Sequence, residues 1–138
     1  MIHWQEELEI QTSGAGFVDI TRRVQQVVAA SGAERGLCTV FVRHTSASLL
    51  IQENADPAVL RDLARWMAEL APESRDWEHA DEGPDDMPAH ARSALTRTSE
   101  QIPIVAGALG LGTWQGLYLW EHRHRSHRRR LIVHVSGI

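Results

Sequence analysis

"GLCTVFVRHTSASLLIQENA", residues 36–55, has two runs rich in aliphatic and β-branched side chains on either side of the polar centre RHTS. Short runs of this composition with polar residues between them are typical of strands. We therefore predict a strand, a short turn and a second strand. The first run ends at His44, where a side chain can project past the edge of a sheet into a cleft.

The segments that flank this region predict further strands and about three helices. HWQEELEIQT alternates, which indicates a strand with Trp4, Leu8 and Ile10 facing inward. DPAVLRDLARWMAELAP has an apolar stripe at helical spacing, with Asp56 as N-cap and Pro57 in the first helical position. Further strands are predicted in GFVDIT, IPIVAGAL, GLYLWEH and RRLIVHVSG, and two helices in PAHARSALT and in TRRVQQVVAAS, with Thr21 as its cap and Gly32 as its stop.

This order of elements predicts an α+β fold. By length, residues 1–138 are a single domain around a mixed, mostly antiparallel sheet. No apolar run approaches the roughly 20 residues needed to cross a membrane, and the N-terminus lacks the pattern of a signal peptide. We therefore expect a cytoplasmic protein that does not act on membranes.

The composition excludes several kinds of chemistry. The single cysteine, Cys38, rules out an internal disulfide and a cysteine-based zinc cluster. The chain contains no lysine, which excludes a Schiff base and a P-loop lysine. The net charge of −4 argues against general binding of nucleic acids. Any bound anion must therefore be held by arginine, backbone N–H groups, histidine or a metal.

Three histidines are candidate ligands of a divalent metal such as zinc. His44 ends a predicted strand, and His79 and His90 lie in the acidic stretch EHADEGPDDMPAH. Three neutral imidazoles leave one coordination position for water or a substrate oxygen. In the first turn of a helix, His90 is close to the positive end of the helix dipole, which favours the neutral ring that binds metals.

The carboxylates of the same stretch leave other interpretations open. Asp81, Asp85 and Asp86 can orient the histidine rings, or they can bind a hard ion such as magnesium. The spacing does not decide between these roles, because the stretch contains neither HxxxH nor HExxH. A solvated acidic loop with incidental histidines explains the same residues.

Other polar side chains are candidates for catalysis or substrate binding. Glu121 and Asp86 join the three histidines as candidate catalytic residues, with a structural ion pair as the alternative for Glu121. The basic segment EHRHRSHRRR can clamp phosphate, contact RNA or form a solvated hairpin. Turn hydrogen bonds are an alternative explanation for the hydroxyl groups of HTSAS. The candidate substrate-binding residues are Ser46, Ser48, Asn54, Thr113, Gln115, Arg123 and Arg129.

Four motifs of this chain are similar to those of one known family. They are HTSASLLIQENxDPxVxxD (His44–Asp62), EHADEGPDDMPAHARSAL (Glu78–Leu95), LGTWQG (Leu111–Gly116) and EHRxxxxxRR (Glu121–Arg130). With these motifs in this order, the chain resembles the YjbQ family from its first strand to its last residues. The tip HRSHR is richer in charge than the family's usual hairpin, which affects surface contacts rather than the predicted cleft.

The resemblance implies a compact α+β fold with a mixed β-sheet or barrel, assembled as a homotrimer. It also implies a metal-binding cleft near a subunit interface, which contains His44, His79 and His90. Family members are sometimes labelled secondary thiamine-phosphate synthases. That label implies joining of hydroxymethylpyrimidine diphosphate to a thiazole phosphate, with release of pyrophosphate.

Three functions are compatible with these residues. The first is a metal-assisted transferase with main or secondary thiamine-phosphate synthase activity, in which zinc or magnesium offsets the charge of the departing diphosphate. The second is a hydrolase that uses a water activated by a histidine-bound metal, with Glu78 or Asp81 as base. The third is a non-catalytic trimeric module that binds a metal or a small, anionic, phosphate-bearing metabolite.

Overall fold

Three helices are interspersed among eight strands in a computed structural model that describes residues 1–138. The helices are α1 (Thr21–Ser31), α2 (Pro57–Leu70) and α3 (Asp86–Leu95). The strands are β1 (Ile2–Gln11), β2 (Gly16–Asp19), β3 (Arg35–Val42), β4 (Ala47–Glu53), β5 (Ser99–Val105), β6 (Ala108–Leu109), β7 (Gln115–Glu121) and β8 (Arg128–Gly137). The predicted α+β class with three helices is confirmed.

The strands form two antiparallel sheets. The larger sheet has the order β1-β8-β3-β5-β6, and the smaller one has the order β2-β7-β4. Every strand pair in both sheets is antiparallel, so the expected mostly antiparallel architecture contains no parallel pair. The single hydrophobic core combines inward side chains of both sheets with one face of α1.

Strands β3 and β4 follow each other closely but belong to different sheets. β3 pairs with β5 and β8, whereas β4 pairs with β7. The short segment between them, with His44 and Ser46, therefore crosses from one sheet to the other. At this crossing the Arg43 amide donates to the Arg130 carbonyl at 3.1 Å, and the His122 amide donates to the Ser46 carbonyl at 3.3 Å. The junction of the sheets thus brings together the start of β8 and the end of β7.

Helix α1 occupies the core through Val24, Val27 and Val28, and it ends at Gly32, whose φ of +73° suits glycine. The predicted capping role of Thr21 is wrong, because Thr21 is itself the first helical residue. Its backbone N–H and its hydroxyl both donate to the Asp19 carboxylate, at 3.0 and 2.7 Å.

The inward face of β1 also differs from the prediction at one position. Leu8 and Ile10 are buried as expected, but Trp4 is 41% exposed. The indole N–H of Trp4 donates to the Glu6 carboxylate at 2.8 Å on the same face of the strand. The indole therefore has a polar partner at the surface rather than a place in the core.

Helices α2 and α3 lie against β4 of the smaller sheet. Asp56 caps α2 by accepting the Ala58 amide at 2.9 Å, and Pro57 is in the first helical position, as predicted. Residues Gly116–Glu121 of β7 are all buried, which shows that both faces of this strand are covered. None of the three helices has the length and hydrophobicity of a membrane-spanning segment.

Truncation of Leu119, a residue of β7 with 0% exposure, tests the central position of that strand. We expect Leu119→Ala to lower the free energy of unfolding by about 2–5 kcal/mol, because it leaves a cavity where the sheets and α1 meet. Leu95→Ala is the matched control, since Leu95 is 62% exposed and should change stability by less than about 0.5 kcal/mol. Urea denaturation measures both variants, and equal effects would contradict this description of the core.

Candidate metal centre

Side chains from the acidic loop and from α3 meet in one group. His79 belongs to the loop, and Asp86 and His90 belong to α3. Each residue contributes one ligand-type atom, and these three atoms lie within 4.8 Å of one another. Asp86 Oδ2 is 2.7 Å from His79 Nε2 and 3.3 Å from His90 Nε2. We refer to these three residues as the His-Asp-His cluster.

The local sequence explains how these residues meet. Helix α3 begins at Asp86, earlier than the predicted start at Pro88, so Asp86 and His90 are one helical turn apart and share a face. The chain turns at Gly83, whose φ of +101° is a left-handed conformation that glycine tolerates best. The Asp86 amide closes this turn by donating to the Gly83 carbonyl at 3.3 Å. The turn lets His79 fold back onto the first turn of α3.

Arg123 holds Asp86 in place from the side opposite the histidines. Its Nη1 donates to Asp86 Oδ1 at 2.8 Å, which leaves Oδ2 for the two imidazoles. The same guanidinium donates through Nε to Asp85 Oδ2 at 3.0 Å and through Nη2 to the Glu82 carbonyl at 3.0 Å. Arg123 therefore fixes the acidic loop and the start of α3 together. Its predicted role as a phosphate clamp has no support here, because its donors face the protein.

The charges of the cluster favour an ionised carboxylate between two imidazoles. Burial raises the pKa of Asp86, but the hydrogen bond with His79 and the charge of Arg123 outweigh burial and lower that pKa overall. The hydrogen bond to Asp86 raises the pKa of His79, which is exposed to solvent. Asp86 itself is buried, with 3% exposure. The Asp86 carboxylate thus presents a negatively charged oxygen to the two imidazoles. The cluster is open to solvent on the His79 side.

Two imidazole nitrogens and one carboxylate oxygen are a donor set that suits a catalytic zinc ion. Zinc bonds of about 2.0–2.1 Å in a tetrahedron place neighbouring ligand atoms about 3.3 Å apart. The 3.3 Å separation of His90 Nε2 and Asp86 Oδ2 has this length. The 2.7 Å contact of His79 with Asp86 is that of a hydrogen bond and has to open by about half an ångström to admit an ion.

His44 lies outside this group, so the predicted trio of histidines does not assemble within one chain. His44 Nε2 accepts the Arg130 amide at 2.8 Å, and His44 Nδ1 is 3.4 Å from the Arg129 guanidinium. Burial and the charge of Arg129 lower the pKa of His44. The crossing between β3 and β4 is hydrogen-bonded to the start of β8 and to the end of β7, which holds His44 beside Arg129 and Arg130. Asp86 takes the third place in the cluster.

Glu121, Arg129 and Ser46 form a buried network at the junction of the two sheets. Arg129 Nε donates to Glu121 Oε1 at 2.8 Å, and Nη2 donates to Glu121 Oε2 and to Ser46 Oγ, the latter at 3.0 Å. The Thr12 hydroxyl donates to Glu121 Oε1 at 2.7 Å. All of these residues are buried. This arrangement matches the alternative of a structural ion pair for Glu121, and it engages Nε and Nη2 of Arg129 within the protein.

Sequence reasoning missed His122, which is buried at the end of β7. Its Nε2 is hydrogen-bonded to the Ser48 hydroxyl at 2.8 Å, and its ring lies against Trp120 with centroids 5.1 Å apart. Burial, followed by the charge of Arg92, lowers the pKa of His122 to about 3. His122 is therefore neutral, and the predicted substrate-binding residue Ser48 is buried with it. The run GLYLWEH could have predicted this burial, because a strand whose apolar residues do not alternate with polar ones is covered on both faces.

Asn54, Thr113 and Gln115 lie at the other end of β7. The Asn54 amide N–H group donates to the Thr113 and Gln115 carbonyls, each at 3.4 Å, which ties β4 to the glycine-rich turn. Gln115 begins β7 and Glu121 ends it, so about 20 Å of strand separates these residues from the junction. The structure thus divides the predicted substrate-binding residues between two ends of one strand.

Comparison with known proteins places the chain in a family. A family model described as "UPF0047 protein YjbQ-like" matches residues 6–138. The UPF0047 protein sll1880 of Synechocystis is 64% identical over 134 residues, which cover 96% of this chain and 91% of that protein. The UPF0047 protein YjbQ of Escherichia coli O157:H7 is 36% identical over 135 residues, with 97% and 98% covered.

Solved structures of relatives have the same fold. A YbjQ-like protein of unknown function from Sulfolobus solfataricus superposes with a TM-score of 0.87 at 28% identity, covering 99% of each chain. An uncharacterised YjbQ/UPF0047 protein from Clostridium acetobutylicum gives a TM-score of 0.84 at 35% identity, covering 96% of this chain and 98% of that one. On its sequence and on its fold, the chain belongs to the YjbQ-like UPF0047 family.

Proposed function

We propose that this protein is a metal-dependent enzyme that binds one divalent ion on His79, Asp86 and His90. The observation that carries the proposal is the convergence of these three donors, from two elements of the chain, within 4.8 Å of one another. Three protein ligands leave a coordination position for a substrate oxygen, which is the arrangement of catalytic rather than structural zinc sites. The hydrogen bond of Arg123 to Asp86 supplies the outer partner that such sites use to orient a ligand.

The donor set favours zinc over magnesium at this position. Magnesium prefers oxygen ligands, whereas two of the three donors are imidazole nitrogens. The alternative magnesium ligand Asp85 is engaged elsewhere, since its Oδ2 accepts from Arg123 at 3.0 Å and from the His124 amide at 2.8 Å. Asp81 has no hydrogen bond to the cluster and remains on the exposed part of the loop.

The reaction that we propose first is transfer between small phosphate-bearing metabolites, as in thiamine-phosphate synthesis. A divalent ion offsets negative charge on a leaving diphosphate. In such a reaction Asp86 would help to hold the ion from the protein side. His79 is open to solvent, so substrate would approach from its side. The family resemblance supports this choice of substrates, as the main or a secondary activity.

Hydrolysis is the second candidate, and the position of Glu82 favours it. Glu82 Oε2 lies 3.4 Å from His79 Nε2 and its side chain is largely exposed. It is therefore a better placed candidate base than Glu78 or Asp81, for which the structure shows no contact with the cluster. A carboxylate beside a metal site can accept a proton from an attacking water.

We further propose that the protein acts in the cytoplasm as a homotrimer. Cys38, Val40 and Val42 of β3 point into the core, so the alternating residues Leu37 and Phe41 point to the opposite face. Both side chains are exposed on the larger sheet, which gives this face apolar area that a second copy can bury. Light scattering during size exclusion measures the mass of the assembly.

Removal of one imidazole tests the metal centre. We expect His79→Ala to weaken zinc binding at least about tenfold. Loss of a residue that only hydrogen-bonds to a metal ligand already lowers metal affinity about 10–100-fold. We also expect it to lower product formation by about 10²–10³ in rate, measured with hydroxymethylpyrimidine diphosphate and thiazole phosphate and with phosphate esters. Calorimetry and elemental analysis of untagged protein measure the zinc.

His124→Ala is the matched control for this variant. His124 is exposed and pairs with Glu73 at 2.8 Å, outside the cluster. It should keep the zinc affinity of the parent. Equal zinc affinity in His79→Ala and the parent would reject the metal centre. Zinc binding without turnover on any of these substrates would instead favour a binding module.

The zinc affinity should also depend on pH, with a sign that the cluster fixes. The contact with Asp86 raises the pKa of His79, so protons compete with zinc up to a higher pH than at an ordinary histidine. Affinity should therefore fall from pH 8 to pH 6, by up to about tenfold per pH unit for each proton displaced. The stability of the metal-free protein should depend on pH in the opposite direction. The His79–Asp86 contact stabilises the fold below the usual histidine pKa of about 6.5, and this contribution is lost as pH rises. A zinc affinity that is flat between pH 6 and 8 would contradict this assignment.

A further inference from the structure

A cavity of about 360 Å³ opens directly beside the His-Asp-His cluster. His79 lines this cavity and also belongs to the cluster, so one side chain borders both. Trp77, Pro84 and Met87 form its apolar walls. The Trp77 indole is fixed by a 3.0 Å hydrogen bond to the Pro72 carbonyl. The volume is near the lower end for small-molecule pockets, which suits a group of one or two rings.

The charges around this cavity leave one carboxylate without a partner. Glu73 accepts from His124 at 2.8 Å, and the Arg75 guanidinium lies 5.2 Å from the centroid of the Trp77 ring. Asp76 also lines the cavity, and it makes no side-chain hydrogen bond and no ion pair. The Arg75 contact shows that the ring face of Trp77 already attracts a planar cation. The aromatic face and the free carboxylate both attract positive charge, part of which Arg75 already supplies.

We propose that this pocket binds a planar, positively charged ring or amidine group of the substrate, whose phosphate or carboxylate group reaches the metal centre. The proposed substrate is therefore a zwitterion with a flat cationic part and an anionic part. Its link to catalysis rests on the proposed metal-dependent function. Asp76 pairs with the cation, Trp77 stacks against it, and Arg75 competes with it for the ring face.

Benzamidinium and benzamide separate charge from shape in a binding test. Both are flat and of similar size, and only the first is a cation. We expect the parent protein to bind benzamidinium about three- to tenfold more tightly than benzamide, the effect of one partly exposed cation–π contact and one ion pair. NMR titration with backbone amide shifts measures both affinities, and the shifts should centre on residues 73–87. Equal affinity, or shifts centred elsewhere, would overturn the proposal.

Two charge variants of adjacent residues should act in opposite directions. Asp76→Asn should weaken benzamidinium binding about threefold or more, while Arg75→Ala should strengthen it by freeing the Trp77 face. Both side chains are exposed, so the fold should tolerate these changes. Glu9→Gln and Arg61→Ala are matched controls that remove the same charges at exposed positions outside the cavity. A shared direction for Asp76→Asn and Arg75→Ala, or an equal effect of the controls, would reject the assigned roles.

A zwitterionic probe tests the link between the pocket and the metal. 4-Amidinobenzoate carries a carboxylate that can reach the open position of a zinc ion. We expect zinc to tighten binding of this probe about tenfold or more, and to leave benzamidinium binding unchanged. Zinc binding without any tightening would overturn the proposed substrate class and leave the metal centre intact. Failure to bind zinc would reject the metal centre, and the benzamidinium titration would still decide the preference of the pocket for cations.

Discussion

The buried ion pair between Arg129 and Glu121 is the interaction on which the rest of this structure depends. Arg129 belongs to β8 of the larger sheet, and Glu121 ends β7 of the smaller one. Their side chains are 4% and 0% exposed, so loss of either partner leaves a buried charge unpaired at a cost of about 3–5 kcal/mol. Further hydrogen bonds to Ser46 and Thr12 join this pair, which makes it a fixed junction between the sheets.

The junction also positions the candidate metal centre. Glu121 Oε2 accepts the backbone amide of Arg123 at 3.2 Å, and the Arg123 side chain then holds Asp85 and Asp86. Through these contacts the junction of the sheets holds the acidic loop, most of whose residues are exposed. The exposed His79 depends on this chain of contacts for its place beside α3. The arrangement agrees with a site in which the ligand oxygen is oriented from the protein side and substrate enters from the loop side.

The sequence predicted part of this site and not the rest. His79 and His90 were predictable because they lie in one short, polar and strongly acidic stretch next to a helix start. Asp86 was a candidate without a fixed role, since its place depends on α3 beginning at Asp86 rather than at Pro88. His44 was grouped with His79 and His90, which it does not meet within one chain, because no spacing rule shows that β3 and β4 enter different sheets. Asn54 and Gln115 were treated as substrate ligands, although their amides hold a turn at the far end of β7.

By itself, the sequence determined the order and type of the elements, the cap of α2, the exclusion of lysine and disulfide chemistry, and membership of the family by its motifs. These properties depend on local periodicity, composition and short motifs, which are fixed by neighbours along the chain. Tertiary structure decided which polar residues meet. Whether Arg129 clamps phosphate or neutralises Glu121, and whether His44 or Asp86 completes the cluster, depends on contacts between residues that lie far apart in sequence. Such contacts follow from strand pairing and sheet geometry, and a single sequence carries no direct record of them.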